Sequence, residues 1–437
     1  MRPWNQIIAA VHVALFLYYL RATIIVEPFW DMYAHVLRYL DFREGGTWWA
    51  YLWEPHVQHR HVWIRLLTAL DVEAFSGVAL PFIVSSACAM AMAAWLLWRE
   101  SRRIDPSELG AAVGCLAVML VLTSVGAVVC AIPMNGVYPQ VLVFTVLALT
   151  LFEGPWESER GTPRLPWRRL AALLAAMCAA FANAAALSLW PILGWMAWRG
   201  RAGRAWTIGV LLLGAAFAAF YLRGLPLAPE GGGPSGLTAP DRLSRMAEYL
   251  LTYMGLPWTR AAALEVPGRI IGGALLLIGV WAVLWRGFIR PRGGRLERLA
   301  LGCIMFSFAS ALLASVGRVD VGPELVVPVR YSLFLMPLHA GMLWLASPYL
   351  SRQWAIQSRR PAIQALMIGA SLLLVVQQVA AGQAAVETTR SMRATIQRFM
   401  AGEEDPAAAR VVFDDLEEAR DASDRIQAAG LYTAGGP

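Results

Sequence analysis

The stretch EPFWDMYAHVLRYLDFREGGTWWAYLWEPHVQHRHVWIRLLTALDVEAFS, residues 27–76, is a polar segment between two apolar runs at 6–26 and 78–98. It gathers many titratable side chains, which are His35, His56, His59, His61, Glu27, Asp31, Asp41, Glu44, Glu54, Asp71 and Glu73. Apolar runs of this length predict membrane-spanning helices, so the segment between them is expected to lie outside the bilayer. Because the titratable groups are concentrated in this one loop, we expect the loop to carry the function of the protein.

The composition is that of a membrane protein. Hydrophobic residues make up 58% of the chain, and the mean hydropathy is +0.52. These values and the recurring apolar runs predict an all-α polytopic membrane protein. All five cysteines fall inside apolar runs, so neither a disulfide framework nor a cysteine metal site is expected. The net charge of +7 comes from arginines scattered in short loops, which does not favour nucleic acid as a partner.

We predict about eleven transmembrane helices from the apolar runs. They are expected near 6–26, 78–98, 109–131, 137–152, 168–182, 184–198, 206–223, 268–286, 299–316, 331–347 and 361–381. Residues 168–198 are too many for one span and few for two. We interpret them as two short helices that turn at Asn183 in the sequence FANAAA.

Arginine-rich segments alternate with the predicted spans. They lie at 99–103, 160–169, 199–204, 286–298 and 352–360. The positive-inside rule predicts that these segments and the N-terminus face the cytoplasm of a bacterium, in its inner membrane. The loop 27–76 and the C-terminus are then expected in the periplasm.

The predicted domain organisation follows from this topology. Residues 1–381 form a transmembrane domain, with 27–76 as its first periplasmic loop and 224–267 as its second. The second loop contains DRLSRMAEYLLTYMGLPW, which predicts an amphipathic helix lying at the membrane surface. Residues 382–437 form a small periplasmic tail of two helices, broken at Gly402–Pro406.

Asp31 is the first candidate for chemistry. It follows the first span and begins the sequence DMYAHVLRYLDF, which predicts a helix along the membrane surface. Two interpretations remain open. The carboxylate either caps the N-terminus of that helix or acts as a general base toward a site at the mouth of the spans.

The second candidate segment is Glu54-Pro55-His56-Val57-Gln58-His59-Arg60-His61. Proline favours the first position of a helix, and a helix starting here would present His56, His59 and Arg60 on one face. Such a face would bind a phosphate or pyrophosphate. A solvated helix start is the alternative. We assign no metal ligand, although a divalent cation held by His56 and His59 with Asp31 or Glu54 remains an open alternative.

The third segment lies between the ninth and tenth predicted spans and contains Arg318, Arg330 and Tyr331. These arginines break the positive-inside pattern because they fall on the predicted outer side. Arginine at such a position commonly has an anionic partner. The partner would be a lipid phosphate or one of the neighbouring acids, Asp320 and Glu324.

The order of these motifs resembles that of bacterial multipass membrane proteins similar to GT-C-type glycosyltransferases. That group has a Trp-Asp-Gln motif after the first span and a His-Asn-Glu-His-Arg segment before the second. This chain has Trp30-Asp31-Met32 and His56-Val57-Gln58-His59-Arg60 at these places. Gly317-Arg318 and Val329-Arg330-Tyr331 follow near the tenth span. The resemblance covers most of the chain in layout, and it implies a GT-C-like fold with a large first external loop.

The resemblance also implies a function. It implies transfer of a sugar from a polyprenyl-phosphate donor to a periplasmic acceptor, either a glycolipid, a polysaccharide or a protein. Asp31 would be the catalytic carboxylate, with the substrate among His56, His59, Arg60, Arg318 and Arg330. Glu54 and Tyr331, which adjoin these residues, complete our predicted substrate-binding set.

Two other functions remain as alternatives. One is an O-antigen-type polymerase or ligase, although those proteins usually carry their large loop late in the chain. The other is a transporter or flippase of a lipid-linked anionic substrate, which would favour charges within spans and related halves. The chain has no P-loop or dinucleotide motif, so we do not expect it to use ATP or NAD directly.

Overall fold

The computed structural model describes residues 2–56, 59–153, 167–226, 238–258, 265–290, 294–318, 327–402 and 416–432. Every regular element within these ranges is a helix. The α-helices are α1 (Arg2–Ala22), α2 (Asp31–Arg43), α3 (Trp48–Trp53), α4 (Val62–Phe75), α5 (Leu80–Ile104), α6 (Glu108–Val121), α7 (Ser124–Ala131), α8 (Val137–Phe152), α9 (Trp167–Ala182), α10 (Leu189–Arg199), α11 (Arg204–Leu222), α12 (Ala239–Gly255), α13 (Glu265–Ala282), α14 (Arg295–Arg318), α15 (Met336–Ala355), α16 (Arg360–Met400) and α17 (Leu416–Ala428). A π-helical segment, Val283–Ile289, extends α13, and the 3-10 segment Val329–Leu335 precedes α15.

Within the described residues, seven helical segments are long and apolar enough to cross a membrane. They are Leu80–Ile104, Pro133–Phe152, Arg204–Leu222, Val266–Ile289, Arg295–Arg318, Val329–Ala355 and Gln357–Met400. The pair α6 and α7, bent by 43°, makes an eighth if it is one broken span. The predicted all-α polytopic architecture is confirmed at this level. Eight of the eleven predicted runs correspond to these segments, and α1, α9 and α10 form as helices without meeting the same criteria.

The outer helices carry an apolar exterior. Leu212 on α11, Leu277 on α13 and Val376 on α16 are 65%, 73% and 64% exposed, and many neighbouring apolar side chains are exposed with them. A soluble monomer rarely shows apolar patches of such extent, whereas hydrocarbon solvates them at no cost. The exterior therefore fits a lipid environment.

The break between α6 and α7 is stabilised by a side chain of α16, which is distant in the sequence. Gln378 of α16 donates to the carbonyl of Leu122 at 3.3 Å, and its own carbonyl accepts from the backbone N–H of Ser124. A helix break leaves backbone groups without intrahelical partners, and inside an apolar bundle water is scarce. One amide side chain thus satisfies both sides of the bend.

Two local predictions from the sequence are confirmed. Residues 168–198 form α9 and α10, with Asn183 between them accepting a hydrogen bond from the N–H of Ala185 at 3.0 Å. The amphipathic sequence DRLSRMAEYLLTYMGLPW forms the predicted helix, α12, and its position at the membrane surface stays a prediction. The predicted boundary at 381 falls inside α16, which continues without a break to Met400. Pro406 lies outside the described residues.

The C-terminal helix α17 packs against the first loop. Arg425 of α17 pairs with Asp41 of α2 at 2.6 Å. Beyond the helix, the hydroxyl of Tyr432 donates to Asp71 of α4 at 2.7 Å. The Tyr432 ring lies so close to Gly77 that a Cβ there would approach it to 2.9 Å, and Gly77 also has a φ of +73°. The first loop and the chain's end therefore form one packed unit.

Two buried acids link helices at the end of the bundle opposite the first loop. Glu100 near the end of α5 and Glu153 after α8 are each 1% exposed. Glu100 contacts Arg295 of α14 at 2.7 Å, and Glu153 contacts Arg298 one turn further along α14 at 2.7 Å. The predicted cytoplasmic arginines of this region are therefore used for packing between helices.

Candidate functional site

The first loop positions Asp31 at the start of a helix. The sequence DMYAHVLRYLDF forms the predicted helix, α2, which begins at Asp31, while its position along the membrane surface stays a prediction. Trp30 before it has a φ of +47°, a value that residues other than glycine rarely adopt. Met32 and Tyr33 of the first turn are buried, and the Asp31 side chain is 58% exposed. The carboxylate is thus partly exposed at the start of a well-packed helix, and the space in front of it is called the recess below.

The helix predicted to start at Pro55 is not formed, and that prediction was wrong. His56 and His59 exchange two backbone hydrogen bonds, of 2.9 and 3.0 Å, and α4 begins only at Val62. The carbonyl of Pro55 accepts from Arg38 at 3.0 Å instead of from a helical N–H. Side-chain and local backbone partners have replaced the i to i+4 bonds that a helix requires. Val57 and Gln58 lie outside the described residues.

Asp31 and His56 form a pair at the centre of the site. Nε2 of His56 lies 3.3 Å from a carboxylate oxygen of Asp31. Desolvation would raise the pKa of Asp31, but its contact with His56 and the charges of His56, Arg330 and Arg318 prevail and lower it. Asp31 is therefore ionised at neutral pH.

Arg318 and Arg330 lie close enough to Asp31 for their charges to lower its pKa, although they come from segments about three hundred residues later in the chain. Arg330 donates through Nε to the hydroxyl of Tyr138 at 3.0 Å. The guanidinium groups of Arg318 and Arg330 lie over the ring of Tyr331, at 5.9 and 6.0 Å from its centre. In the described part of the chain neither arginine makes an ion pair within 4 Å, while Asp320 and Glu324 lie outside it.

A group of tyrosine rings packs beside these two arginines, and it was not predicted from the sequence. Tyr138 at the start of α8 packs on Tyr331 with ring centres 5.6 Å apart, and Tyr253 of α12 also packs on Tyr331, at 5.7 Å. Tyr249, one turn earlier on α12, contacts Tyr253. The spacing of Tyr249 and Tyr253 on one face of the predicted amphipathic helix was the available signal.

Two predicted substrate-binding residues lie elsewhere. Arg60 is 2% exposed, stacks 4.5 Å from the ring centre of Trp53 and donates to the carbonyls of Trp53, Tyr221 and Arg223. It joins the first loop to the end of α11. Glu54 pairs with Arg38 at 3.3 Å. The residues that the fold does gather are Asp31, His56, His59, Arg318, Arg330 and Tyr331.

Behind Asp31 lies a cluster of four imidazoles, formed by His35, His56, His59 and His61. Ring centres of His35 lie 4.6 Å from His56 and 5.5 Å from His61, and His59 stacks on His61 at 5.5 Å. Desolvation lowers the pKa of His35 and His61 well below the usual value, and lowers that of His59 to about 4. His35 follows Asp31 by one helical turn, a spacing from which its presence here could have been predicted.

The arrangement sets one ionised carboxylate near two guanidinium groups that pack on a tyrosine ring, with a cluster of imidazoles behind it. A carboxylate of this kind can accept a proton, and guanidinium groups can hold a phosphate by paired hydrogen bonds. Comparisons with protein-family models, with curated proteins and with solved structures found no match to this chain.

Proposed function

We propose that the protein is a membrane glycosyltransferase that moves a sugar from a polyprenyl-phosphate donor to an acceptor hydroxyl. One observation carries the proposal: Arg318 and Arg330 lie near enough to Asp31 of the first loop for their charges to lower the pKa of its carboxyl. A proton acceptor and a phosphate-binding pair are the two groups that this reaction requires.

In this mechanism Asp31 is the general base. The acceptor hydroxyl attacks the anomeric carbon, and its proton passes to the Asp31 carboxylate. The bond between that carbon and the phosphate oxygen breaks, and polyprenyl phosphate leaves with an additional negative charge. Arg318 and Arg330 stabilise that charge, as preorganised cations do where negative charge develops in a transition state. The phenol of Tyr138 holds Arg330 in position through their 3.0 Å hydrogen bond.

The proposed setting is the inner membrane of a bacterium, with the N-terminus in the cytoplasm and the recess facing the periplasm. The distribution of arginines between the predicted loops supports that orientation. The lipid-linked sugar would reach the site along the membrane, which explains why no nucleotide motif is needed. An envelope glycan, glycolipid or protein would supply the acceptor hydroxyl.

A pair of matched variants tests the base. Asp31 and Asp41 lie on the same helix, and both side chains are 58% exposed. The assay incubates purified protein with undecaprenyl-phosphate sugars and an envelope fraction, and measures released undecaprenyl phosphate by mass spectrometry. We expect Asp31→Asn to lower the release rate by about 10³-fold or more and Asp41→Asn to leave it within about threefold.

Three results would count against the proposal. Wild-type protein that binds the donors and releases no undecaprenyl phosphate from any of them would favour a transporter or flippase. A well-folded Asp31→Asn variant with full activity would remove Asp31 as the base. Equal losses of activity in Asp31→Asn and Asp41→Asn would indicate that these two carboxylates support folding and that neither is the catalytic base.

A further inference from the structure

The geometry points to a divalent metal site of the zinc class, built by His35, His56 and His61 behind the recess. The three residues come from α2, from the segment after α3 and from the position just before α4. Each offers a ring nitrogen, and these nitrogens all lie within 4.8 Å of one another. The site stands independently of the proposed transfer reaction, because its ligands and its test require no sugar.

The spacing of two nitrogens favours a shared ion over a mutual hydrogen bond. Nδ1 of His61 lies 3.4 Å from Nε2 of His35. Hydrogen bonds between nitrogen and its acceptors usually span about 2.7–3.2 Å, so this separation is long for one. Two imidazoles bound tetrahedrally to zinc at about 2.05 Å place their nitrogens roughly 3.3 Å apart. The observed separation therefore matches two ligands that face one ion.

Burial and the neighbouring charges also bear on the site. His35, His56 and His61 are 0%, 8% and 7% exposed, which removes most competing water. Arg38 and Arg65 lie near enough to oppose a cation. Glu54 offsets Arg38 through their 3.3 Å ion pair, and the Asp31 carboxylate lies on the other side of His56. Three histidines with one open position are a ligand set that zinc commonly takes.

The contact between Asp31 and His56 gives the ion a role in positioning. A histidine that binds a metal through one nitrogen commonly passes its other N–H to a carboxylate, which fixes the ring. Nε2 of His56 lies 3.3 Å from Asp31, so an ion bound through Nδ1 would leave Nε2 to donate to that carboxylate. The metal would hold the His56 ring and, through it, the orientation of Asp31.

Metal content of the full-length protein tests this site. The protein is purified in detergent with a tag that contains no histidine, loaded with Zn²⁺, passed over a weak chelating resin and measured by plasma mass spectrometry. We expect about one zinc per chain in the wild type. We expect about tenfold less in His35→Ala and in His61→Ala. His59→Ala and the distant His339→Gln should retain the wild-type amount.

Binding of Co²⁺ provides a spectroscopic test on the wild-type protein alone, so it does not require any variant to fold. Co²⁺ bound to the wild-type protein by three imidazoles should give the visible absorption of four-coordinate cobalt, and Zn²⁺ should displace it. Wild-type protein that retains less than about a tenth of an equivalent of zinc would overturn the site. An equal loss of zinc in His59→Ala and His35→Ala would overturn the ligand set, as would six-coordinate cobalt spectra.

Discussion

The two ends of the helical bundle use arginine in opposite ways. At one end, Glu100 is 1% exposed and contacts Arg99, Arg103 and Arg295 at 3.0, 2.9 and 2.7 Å. At the other end, Arg330 donates a hydrogen bond to the hydroxyl of Tyr138, and its charge lowers the pKa of Asp31. The Asp31 side chain is 58% exposed. A buried acid neutralised by several arginines is a packing device, whereas cations held by aromatic rings remain available for an anion. Substitutions at the Glu100 end should therefore change the free energy of unfolding, and substitutions at the Arg330 end should change the binding of an anionic ligand.

The largest effect on stability is expected from Glu100→Gln, at the end of the bundle where Glu100 pairs with three arginines. The substitution removes the charge that three guanidinium groups share, and those groups are partly exposed, so solvent screening reduces the cost. We expect the free energy of unfolding to fall by about 2–3 kcal/mol, with no change in the binding of undecaprenyl phosphate. Thermal unfolding in detergent measures the first quantity.

The matched control for this prediction is Glu108→Gln. Glu108 is an exposed acid in the first turn of α6, where loss of charge costs about 0.5 kcal/mol. If Glu100→Gln unfolds at the same temperature as this control, or weakens lipid-phosphate binding as strongly as a site variant does, the contrast between the two ends fails.

A smaller effect is expected at the site, from Tyr138→Phe. Loss of the hydroxyl frees Arg330 from its 3.0 Å hydrogen bond, and bonds to charged groups contribute about 1.5–3 kcal/mol. We expect undecaprenyl phosphate to bind about tenfold more weakly, because Arg330 is then less well oriented. The unfolding temperature should change little.

Tyr331→Phe is the control for that measurement. Tyr331 contacts both arginines through the face of its ring, which phenylalanine retains. We expect its affinity for undecaprenyl phosphate to stay within about twofold of the wild type. Equal weakening by the two substitutions would show that the hydrogen bond to Arg330 is not what matters.

The smallest effect is expected from Tyr432→Phe at the chain's end. The substitution removes a 2.7 Å hydrogen bond to buried Asp71, which keeps its bond from the N–H of Ala79 at 3.1 Å. We expect the unfolding free energy to fall by about 1 kcal/mol. Thermal unfolding again measures it, with Tyr349→Phe, an exposed tyrosine, as control. No change would indicate that α17 does not stabilise the first loop.

Features set by local sequence could be predicted, and those set by distant partners could not. Apolar runs indicated most of the helices, Asn183 indicated a turn, and the sequence after Trp30 indicated α2. Arg60 was assigned to the substrate because a helix starting at Pro55 would place it on one face with His56 and His59, and because the resemblance implied that role. Its direction is set by Tyr221, which lies 161 residues later in the chain. No local pattern reports such a contact.

The same limit applies within the site. Asp31, His56, Arg318 and Arg330 were selected by residue type and by their expected side of the membrane. Their proximity depends on how α2, α14 and the segment before α15 pack, which periodicity does not specify. The carboxylate was therefore predictable as a candidate. Tyr138 was not, because a tyrosine at the start of an apolar helix is usually an interfacial anchor.

The most direct test of the central claim is binding of undecaprenyl phosphate, measured by native mass spectrometry on the purified protein. The wild type is compared with Arg318→Ala, Arg330→Ala and Arg352→Ala, the last being an exposed arginine toward the opposite end of α15. We predict saturable binding that falls by about tenfold or more in the first two variants and is unchanged in the third. Binding that is equal in all four proteins, or absent from the wild type, would contradict the proposed lipid-phosphate site.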